Sequence, residues 1–233
     1  MVQVDVIVVS CPTTEERLEY LQMTLASLRR YLNPAGTRRW LCSGEADGVA
    51  PELLKRWTGI CAHENFATVC HQGKRNLGSH MNWIYDQHVS QARLHFICQE
   101  DIALCEPLDL RPAVDLMTAG LGRYVRFFLH EHPTFAEDED AHFNRITGGT
   151  EHLFGYAQYL SDLSLFRELG RFKVGGGSEF DMNKRFFAEN VPVWVKKGAS
   201  NQQPFFHIGE QSAMKHRCGF TPLDEARERI FGE

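Results

Sequence analysis

The sequence has 233 residues, which is enough for one large domain or two small ones. Hydrophobic residues make up 43% and charged residues 24%, as in an ordinary soluble globular protein. The formal net charge of -5 means that nothing in the overall balance calls for nucleic acid or a membrane. Basic clusters such as Arg29-Arg30 and Lys196-Lys197 do occur, and we interpret most of them as solvated faces.

The seven cysteines argue against a disulfide-stapled protein. Their number is odd, no C-x-x-C pair occurs, and Cys42 and Cys98 lie inside apolar runs. This pattern predicts reduced thiols and a cytoplasmic, intracellular location. No secretory signal is expected, because Gln3 and Asp5 interrupt the short apolar start. No apolar run approaches the ~20 residues that a transmembrane helix needs.

Strands and helices alternate over the first half of the chain. Val4–Val9 is an apolar, β-branched run, which predicts a buried strand. A helix is expected over about 14–32, where leucines recur at helical spacing. Further strands are expected at Arg39–Cys42, Ala67–Cys70 and Leu94–Cys98, and further helices at Pro51–Trp57 and Lys74–Val89. This alternation indicates a parallel sheet with crossover helices.

The second half is less regular. We expect, in chain order, a helix that ends over Asp115–Ala119, a strand at Arg123–Leu129, a loop at His130–Phe143, a strand at Gly155–Leu160, a helix at Ser161–Leu169, a helix from Ser178 to about Glu189, a strand at Val191–Val195 and a helix at Asp224–Phe231. Three glycines, Gly175–Gly177, are expected to form a flexible joint before the Ser178 helix.

Two adjacent carboxylates, Glu100 and Asp101, follow the strand predicted at Leu94–Cys98. Acid pairs are costly inside a fold unless a positive group meets them. At the carboxyl edge of a parallel sheet, that group is often a ligand-bound divalent cation. The sequence therefore predicts a cation site at this edge, with Asp101 as the first candidate ligand and Glu100 as the second.

Several familiar motifs are absent from the sequence. It has no G-x-x-x-x-G-K-[ST], no G-x-G-x-x-G after the first strand, no H-E-x-x-H and no G-x-S-x-G. A P-loop and a Rossmann dinucleotide site are therefore not expected, and any chemistry must take another form.

Six short segments occur in an order that a known family shares. They are Val6–Ser10 with Arg17, Gly44–Gly48, Lys74–Gly78 with Asn82, Gln99–Asp101, Ser178–Asp181 with Arg185, and Phe205–Gly209. Together they resemble the GT-A nucleotide-sugar glycosyltransferases, especially the broad family 2 pattern, although that family usually has Asp where Gln99 stands. The resemblance implies an α/β, GT-A-like (Rossmann-like) fold, with a mostly parallel central sheet flanked by helices in a single domain, 1–233. About 1–105 would bind the donor, and about 106–233 would bind the acceptor and carry the catalytic residues.

The resemblance also implies roles for individual residues. Asp101 and His207 would hold Mn²⁺ or Mg²⁺, and Glu179 would be the catalytic base, with Asp181 in reserve. A UDP-sugar is the expected donor. The residues expected to contact it are Ser10, Pro12, Arg17, Asp47, Lys74, Arg75, Asn76, Asn82 and Glu100.

The implied activity is metal-dependent transfer of a hexosyl unit to a hydroxyl acceptor, with inversion. The acceptor stays open between a saccharide and a hydroxymethylated DNA base, since the basic clusters are compatible with binding a polynucleotide. One alternative is a nucleotidyltransferase, although the acidic segment Cys11–Glu16 stands where such enzymes carry a Gly-rich basic loop. The other alternative is a catalytically inactive nucleotide-sugar-binding module, which Gln99 favours.

Overall fold

The computed structural model of the protein describes residues 2–34, 36–73, 76–86, 92–129, 134–136, 140–148, 153–156, 158–200, 203–208 and 220–232. The helices within these ranges are α1 (Glu15–Tyr31), α2 (Pro51–His63), α3 (Leu77–Asp86), α4 (Arg111–Thr118), α5 (Leu163–Leu169), α6 (Ser178–Ala188) and α7 (Leu223–Phe231). The strands are β1 (Val4–Ser10), β2 (Leu32–Asn33), β3 (Thr37–Glu45), β4 (Ala67–His71), β5 (Leu94–Gln99), β6 (Ile102–Leu104), β7 (Leu108–Asp109), β8 (Tyr124–Arg126), β9 (Thr134–Phe135), β10 (Phe143–Gly148), β11 (Tyr159–Asp162), β12 (Val193–Lys196), β13 (Phe205–Ile208) and β14 (Phe220–Thr221).

Strand β1 lies inside the central sheet and is buried along its whole length. It pairs in parallel with β3 on one side and with β5 on the other. Its side chains alternate between the two faces, so that Val6 and Val8 contact one core while Ile7 and Val9 contact the other. A strand covered on both faces needs a continuous apolar run, which is the pattern seen in the sequence.

Nine strands of the described chain form the central sheet, in the order β4-β3-β1-β5-β11-β8-β12-β10-β9. The strands β4, β3, β1 and β5 are parallel, and so are β8 and β12. Strand β11 lies antiparallel between β5 and β8, and β10 lies antiparallel to β12. Most strands therefore point the same way, which confirms the prediction of a mostly parallel sheet in an α/β fold.

Helices cover both faces of this sheet. Helices α1, α2 and α4 contribute apolar side chains to one core, and α3, α5 and α6 contribute to the other. The prediction of a sheet flanked by helices in one domain is thus also confirmed. No helix in the described part of the chain has both the length and the apolar character needed to cross a bilayer.

The start of α1 is fixed by its N-cap. The Thr14 side chain accepts a hydrogen bond from the backbone N–H of Arg17 at 3.2 Å. Glu15 and Glu16 lie in the first turn, where their negative charges interact favourably with the positive end of the helix dipole. The cap places Arg17 in the first turn, next to the carboxyl end of β5.

A small three-stranded sheet, β14-β13-β6, brings a late segment of the chain back to the end of β5. Strand β13 lies antiparallel to β6, with His207 opposite Ile102. The N–H of Ile208 donates to the carbonyl oxygen of Asp101 at 2.9 Å. Helix α7 packs on this sheet through Ala226 and Ile230. The pairing therefore places His207 beside the predicted acid pair, although the two are distant in sequence.

Several predicted boundaries differ from those in the structure. Strand β3 extends beyond the predicted Arg39–Cys42 at both ends, because it pairs with both β1 and β4. The strand predicted at Gly155–Leu160 is found at Tyr159–Asp162, and α5 begins only afterwards. The reason is that the Asp162 side chain accepts a hydrogen bond from the Ser164 N–H at 2.9 Å and caps α5.

Other differences concern short strands and the limits of the description. The predicted loop at His130–Phe143 contains β9, and β10, which begins at Phe143, was not predicted. The strand predicted at Arg123–Leu129 is shorter, at Tyr124–Arg126. The helix predicted at Lys74–Val89 is Leu77–Asp86 in the structure, while 74–75 and 87–89 lie outside the described residues.

His95 on β5 makes the stability of the fold depend on pH. Its ring is buried, and its Nε2 atom lies 2.9 Å from the Tyr85 hydroxyl and 2.8 Å from Ser161 Oγ. Burial lowers the pKa of His95 from 6.5 to about 4, although the negative charges of Asp162 and Asp5 oppose this. Between these two pH values the unfolded chain binds a proton that the folded chain does not bind.

We expect the free energy of unfolding to fall as the pH drops through this window, by up to ~3 kcal/mol from His95 alone. This contribution to stability is fully present above the pKa of His95 in the unfolded chain, and it is lost as the pH falls towards the pKa of His95 in the folded protein. In urea titrations at about pH 7 and about pH 4.5, His95→Gln should lose less stability than the wild type. The exposed His63 gives the control variant His63→Gln, which should keep the wild-type difference. An equal loss in His95→Gln and wild type would contradict this account.

Candidate functional site

An open cavity of about 150 Å³ lies at the carboxyl ends of β1, β3 and β5. Ligands of open α/β sheets bind at this edge. The cavity is lined by Val9, Ser10, Cys11, Arg17, Glu45, Leu77, His80, Gln99, Glu100 and Asp101. Four of the predicted site residues, Ser10, Arg17, Glu100 and Asp101, thus share one cavity.

Glu100 lines this cavity and is buried, and its carboxylate accepts hydrogen bonds from two donors. Its Oε1 accepts a hydrogen bond from Arg17 Nε, and its Oε2 accepts one from the Cys11 N–H, both at 2.6 Å. A second guanidinium nitrogen of Arg17 completes the ion pair. Burial raises the pKa of Glu100 to about 7, although the charge of Arg17 opposes this. The carboxylate therefore joins the ends of β1 and β5 to α1, and its two oxygens are engaged.

Asp101 is half-buried at the cavity wall, next to His207. Burial lowers the pKa of His207, while the negative charge of Asp101 and a hydrogen bond to the Asp101 backbone act in the opposite direction. The ring also contacts Phe128 edge-on, with 5.3 Å between the ring centroids. The structure thus brings together a carboxylate and a mostly neutral imidazole, the two residues predicted to hold the cation.

The acid that faces the cavity from β3 is Glu45, whereas Asp47 is exposed and does not line it. Sequence reasoning missed Glu45 because it ended the strand at Cys42. No local signal marked the continuation, because residues 43–45 (Ser-Gly-Glu) carry no apolar side chain, and it is the pairing with β4 that extends the strand to Glu45. The donor-binding role of Asp47 stays a prediction.

Asn76 caps α3 and connects two distant segments. Its Oδ1 accepts hydrogen bonds from the N–H groups of Ser79 and Gly175, each at 3.2 Å. Its own N–H donates to Glu45 Oε1 at 3.1 Å. The neighbouring Lys74 and Arg75 lie outside the described residues, so their phosphate-binding role stays a prediction.

Three other residues predicted to contact the donor are buried. Ser10 Oγ accepts a hydrogen bond from Trp57 Nε1 at 3.0 Å and still lines the cavity. Pro12 is buried after β1, and the structure does not place it on the cavity wall. Asn82 is buried and exchanges two hydrogen bonds with the backbone of Phe172, at 2.7 and 2.8 Å, away from the cavity.

Glu179 lies in the first turn of α6, close to the carboxyl end of β8. A Cβ built at Gly155 would lie 2.6 Å from Arg126 Nη2 and 3.4 Å from Glu179 Oε1, so only glycine lets both side chains approach. Burial raises the pKa of Glu179, while Arg126 and a hydrogen bond from the Tyr156 N–H lower it. Glu179 therefore combines burial with a nearby positive charge.

Asp181, the reserve candidate, has a different environment. It forms an ion pair with Arg185 at 2.5 Å, one turn further along α6. Arg185 also donates to the carbonyl oxygens of Leu169 and Arg171, at 3.0 and 2.7 Å. This network ties α6 to the end of α5, which gives Asp181 a structural role.

The sheet register places candidate residues from both halves of the chain at one edge of the sheet. Tyr159 of β11 lies opposite Ile97 of β5 on one side and opposite Arg126 of β8 on the other. Arg126 is therefore two strand spacings, roughly 9.5 Å, from Ile97. Asp101 follows β5 and Glu179 lies near Arg126, so both are at the carboxyl edge of the sheet.

Glycosyltransferases of known structure share this fold. A crystal structure of GalNAc-T7 with UDP, GalNAc and Mn²⁺ superposes on this chain with a TM-score of 0.69 at 9% identity. The match covers 91% of this chain and 45% of the GalNAc-T7 chain. The S. aureus protein TarS is similar over 85% of this chain and 36% of its own, with a TM-score of 0.56 at 11% identity. TarS 1-349 gives a TM-score of 0.56 at 10% identity, over 87% of this chain and 61% of its own.

This chain spans less than two thirds of the length of each of these proteins. No protein-family model matches the sequence, and no curated protein matches it. At such low identity the likeness shows the fold, which is the GT-A fold of glycosyltransferases, and not the activity. The fold implied by the sequence resemblance is therefore confirmed.

We expect Arg17→Met to destabilise the protein by about 2–3 kcal/mol, because it leaves the buried Glu100 carboxyl without its cation. Replacing that carboxyl as well, in Arg17→Met/Glu100→Gln, should recover most of the loss, since Gln still accepts the Cys11 N–H. Urea unfolding of the three proteins measures both effects. Equal stability of the single and double variants would show that Arg17 does not offset the cost of burying the Glu100 carboxyl.

Proposed function

We propose that this protein is a metal-dependent glycosyltransferase that moves a sugar from a nucleotide-sugar donor, a UDP-sugar, to a hydroxyl acceptor. The observation that carries the proposal is that Asp101 lines the cavity and that the buried His207 lies next to Asp101. The fold supports it, because GalNAc-T7, which has the same fold, was crystallised with UDP and Mn²⁺. The six sequence segments support a relationship to family 2 in particular.

The residues present fit a divalent cation. Asp101 would offer a carboxylate oxygen and His207 a neutral imidazole, and the diphosphate of the donor and water would complete the coordination. Mn²⁺ or Mg²⁺ bound there supplies charge neutralisation for the departing diphosphate. Ser10 and Arg17 lie on the same cavity wall, which supports the assignment of about 1–105 to donor binding.

Glu179 is the proposed base. It would remove the proton of the acceptor hydroxyl as that oxygen attacks the anomeric carbon, and the diphosphate would leave from the opposite face of the sugar, with inversion. Arg126 would favour the ionised carboxylate that this step requires. The ion pair of Asp181 with Arg185 makes Asp181 the weaker candidate. Both Arg126 and Glu179 belong to the second half, about 106–233, which we assign to acceptor binding and catalysis.

The acceptor stays open between a saccharide and a hydroxymethylated DNA base. Binding to duplex DNA at two salt concentrations separates these, because phosphate contacts weaken steeply with salt. The six described cysteines, Cys11, Cys42, Cys61, Cys70, Cys98 and Cys105, are free thiols, which supports an intracellular location.

We expect Asp101→Asn to abolish turnover of a UDP-sugar with Mn²⁺, because the carboxylate that would hold the cation is lost. The assay follows the nucleotide product: free UDP indicates sugar transfer or donor hydrolysis, whereas UMP with a sugar phosphate indicates a different reaction class. Asp115→Asn, on the exposed side of α4, is the matched control and should keep wild-type activity. Full activity of Asp101→Asn would overturn the assignment of the cation site.

We expect Glu179→Gln to lower kcat by about 10²–10⁴-fold with little change in the KM for the donor, since a base acts on the acceptor. The wild-type rate should fall as the pH drops through the pKa of Glu179, which burial raises above the ordinary value for Glu. This acid limb should be absent from the residual rate of Glu179→Gln. A larger loss in Asp181→Asn than in Glu179→Gln would move the base role to Asp181.

A further inference from the structure

Three potential metal ligands lie together, and two of them line the same cavity as Asp101. They are Glu45 at the end of β3, His71 at the end of β4 and His80 on α3, and we call them the His–Glu cluster. One ligand atom from each lies within 4.8 Å of the others. All three are buried, with exposed fractions of 5%, 4% and 1%. Neither the resemblance to known glycosyltransferases nor the proposed reaction uses His71 or His80.

The two nitrogens of His80 have distinct surroundings. Its Nε2 lies 2.8 Å from Ser43 Oγ, within hydrogen-bond distance. Its Nδ1 faces Glu45 Oε1 at 3.7 Å, which is too long for a hydrogen bond. Burial lowers the pKa of His80 to about 3, so the ring is neutral at pH 7. A carboxylate oxygen and a ring nitrogen therefore face each other with no hydrogen bond between them.

That separation suits two ligands of one cation. Zinc binds imidazole nitrogen and carboxylate oxygen at about 2.0–2.2 Å, so two ligands of a tetrahedral ion lie about 3.3–3.5 Å apart. The hydrogen bond at His80 Nε2 would fix the ring with Nδ1 towards the ion, as second-shell partners commonly do. Glu45 Oε1 also accepts the Asn76 N–H, which orients the carboxylate.

His71 supplies the independent observation. Its Nδ1 is buried and has no hydrogen-bond partner among the residues that the structure describes. A buried polar atom without a partner costs about 1–3 kcal/mol, and such atoms often mark an ion or a water. The ring of His71 stacks on that of His80, with 5.1 Å between centroids and 9° between planes. Because parallel rings cannot both direct a lone pair at one point, one imidazole must turn about its Cβ–Cγ bond, a torsion with a broad energy profile.

We propose that the His–Glu cluster binds one Zn²⁺ ion, or a similar transition-metal cation, through Glu45, His71 and His80. Two imidazoles and one carboxylate with an open fourth position form a set that zinc commonly uses. Glu45 and His80 line the cavity, so the open position faces it and takes water or a ligand oxygen. The ion joins the ends of β3 and β4 to α3. It is separate from the cation proposed at Asp101 and His207.

The test uses the full chain, stripped with a chelator and then titrated with Zn²⁺ by equilibrium dialysis. The variants are His71→Gln and Glu45→Gln, each with one cluster ligand replaced. Two controls accompany them: His63→Gln removes an exposed histidine, and Asp101→Asn removes the other proposed cation site. We expect one tight Zn²⁺ per chain in the wild type and both controls, and affinity weaker by at least ~10-fold in each cluster variant. Zn²⁺ should also raise the Tm of the wild type and not of the cluster variants.

The proposal is overturned if the wild type binds no stoichiometric Zn²⁺, or if His71→Gln and Glu45→Gln bind it as tightly as His63→Gln. Should both cluster variants fail to fold, Co²⁺ added to Asp101→Asn decides the question. Four-coordinate Co²⁺ with imidazole ligands absorbs strongly in the visible, so that absorption supports the site and its absence rejects it. None of these readouts depends on glycosyltransferase activity.

Discussion

The ion pair of the buried Glu100 with the half-exposed Arg17 is the interaction on which the site depends. Two adjacent acids follow β5, and the fold treats them differently. Glu100 points inward, where Arg17 and the Cys11 N–H engage both oxygens, and its carbonyl oxygen accepts the Thr24 hydroxyl at 2.7 Å. Asp101 is left half-buried at the cavity wall. One acid thus joins β1, α1 and β5, and its neighbour stays accessible to a ligand.

The site also depends on a long-range strand pairing, that of β13 with β6. The turn after Glu100 leads directly into β6, and β13 returns to pair with it, so His207 arrives at the same point. Strand β11 provides the other long-range link, because it lies between β5 and β8 and aligns Arg126 with the end of β5. The residues we assign to catalysis therefore lie along one sheet edge through tertiary pairing rather than through local sequence.

The difference between local sequence patterns and long-range strand pairing explains what the sequence could predict. Buried strands such as β1 and the amphipathic helix α1 were predictable, because their apolar patterns are local. The acid pair after β5 was predictable for the same reason. Strands β10 and β13 were not predicted, because their positions depend on partners far along the chain. The cavity wall therefore contains Glu45 and His80, which no local pattern singled out, and lacks Asp47, which the resemblance had implied.

The amide oxygen of Asn76 has a further mechanical consequence. It closes the first turn of α3 through Ser79 and also holds the N–H of Gly175, at the start of the glycine segment that leads into Glu179. One oxygen atom is thus shared between the helix that contributes Leu77 and His80 to the cavity wall and the approach to the proposed base. Any rearrangement that draws the glycine segment away breaks one of its two bonds, so the two sides of the site are mechanically linked through a single side chain.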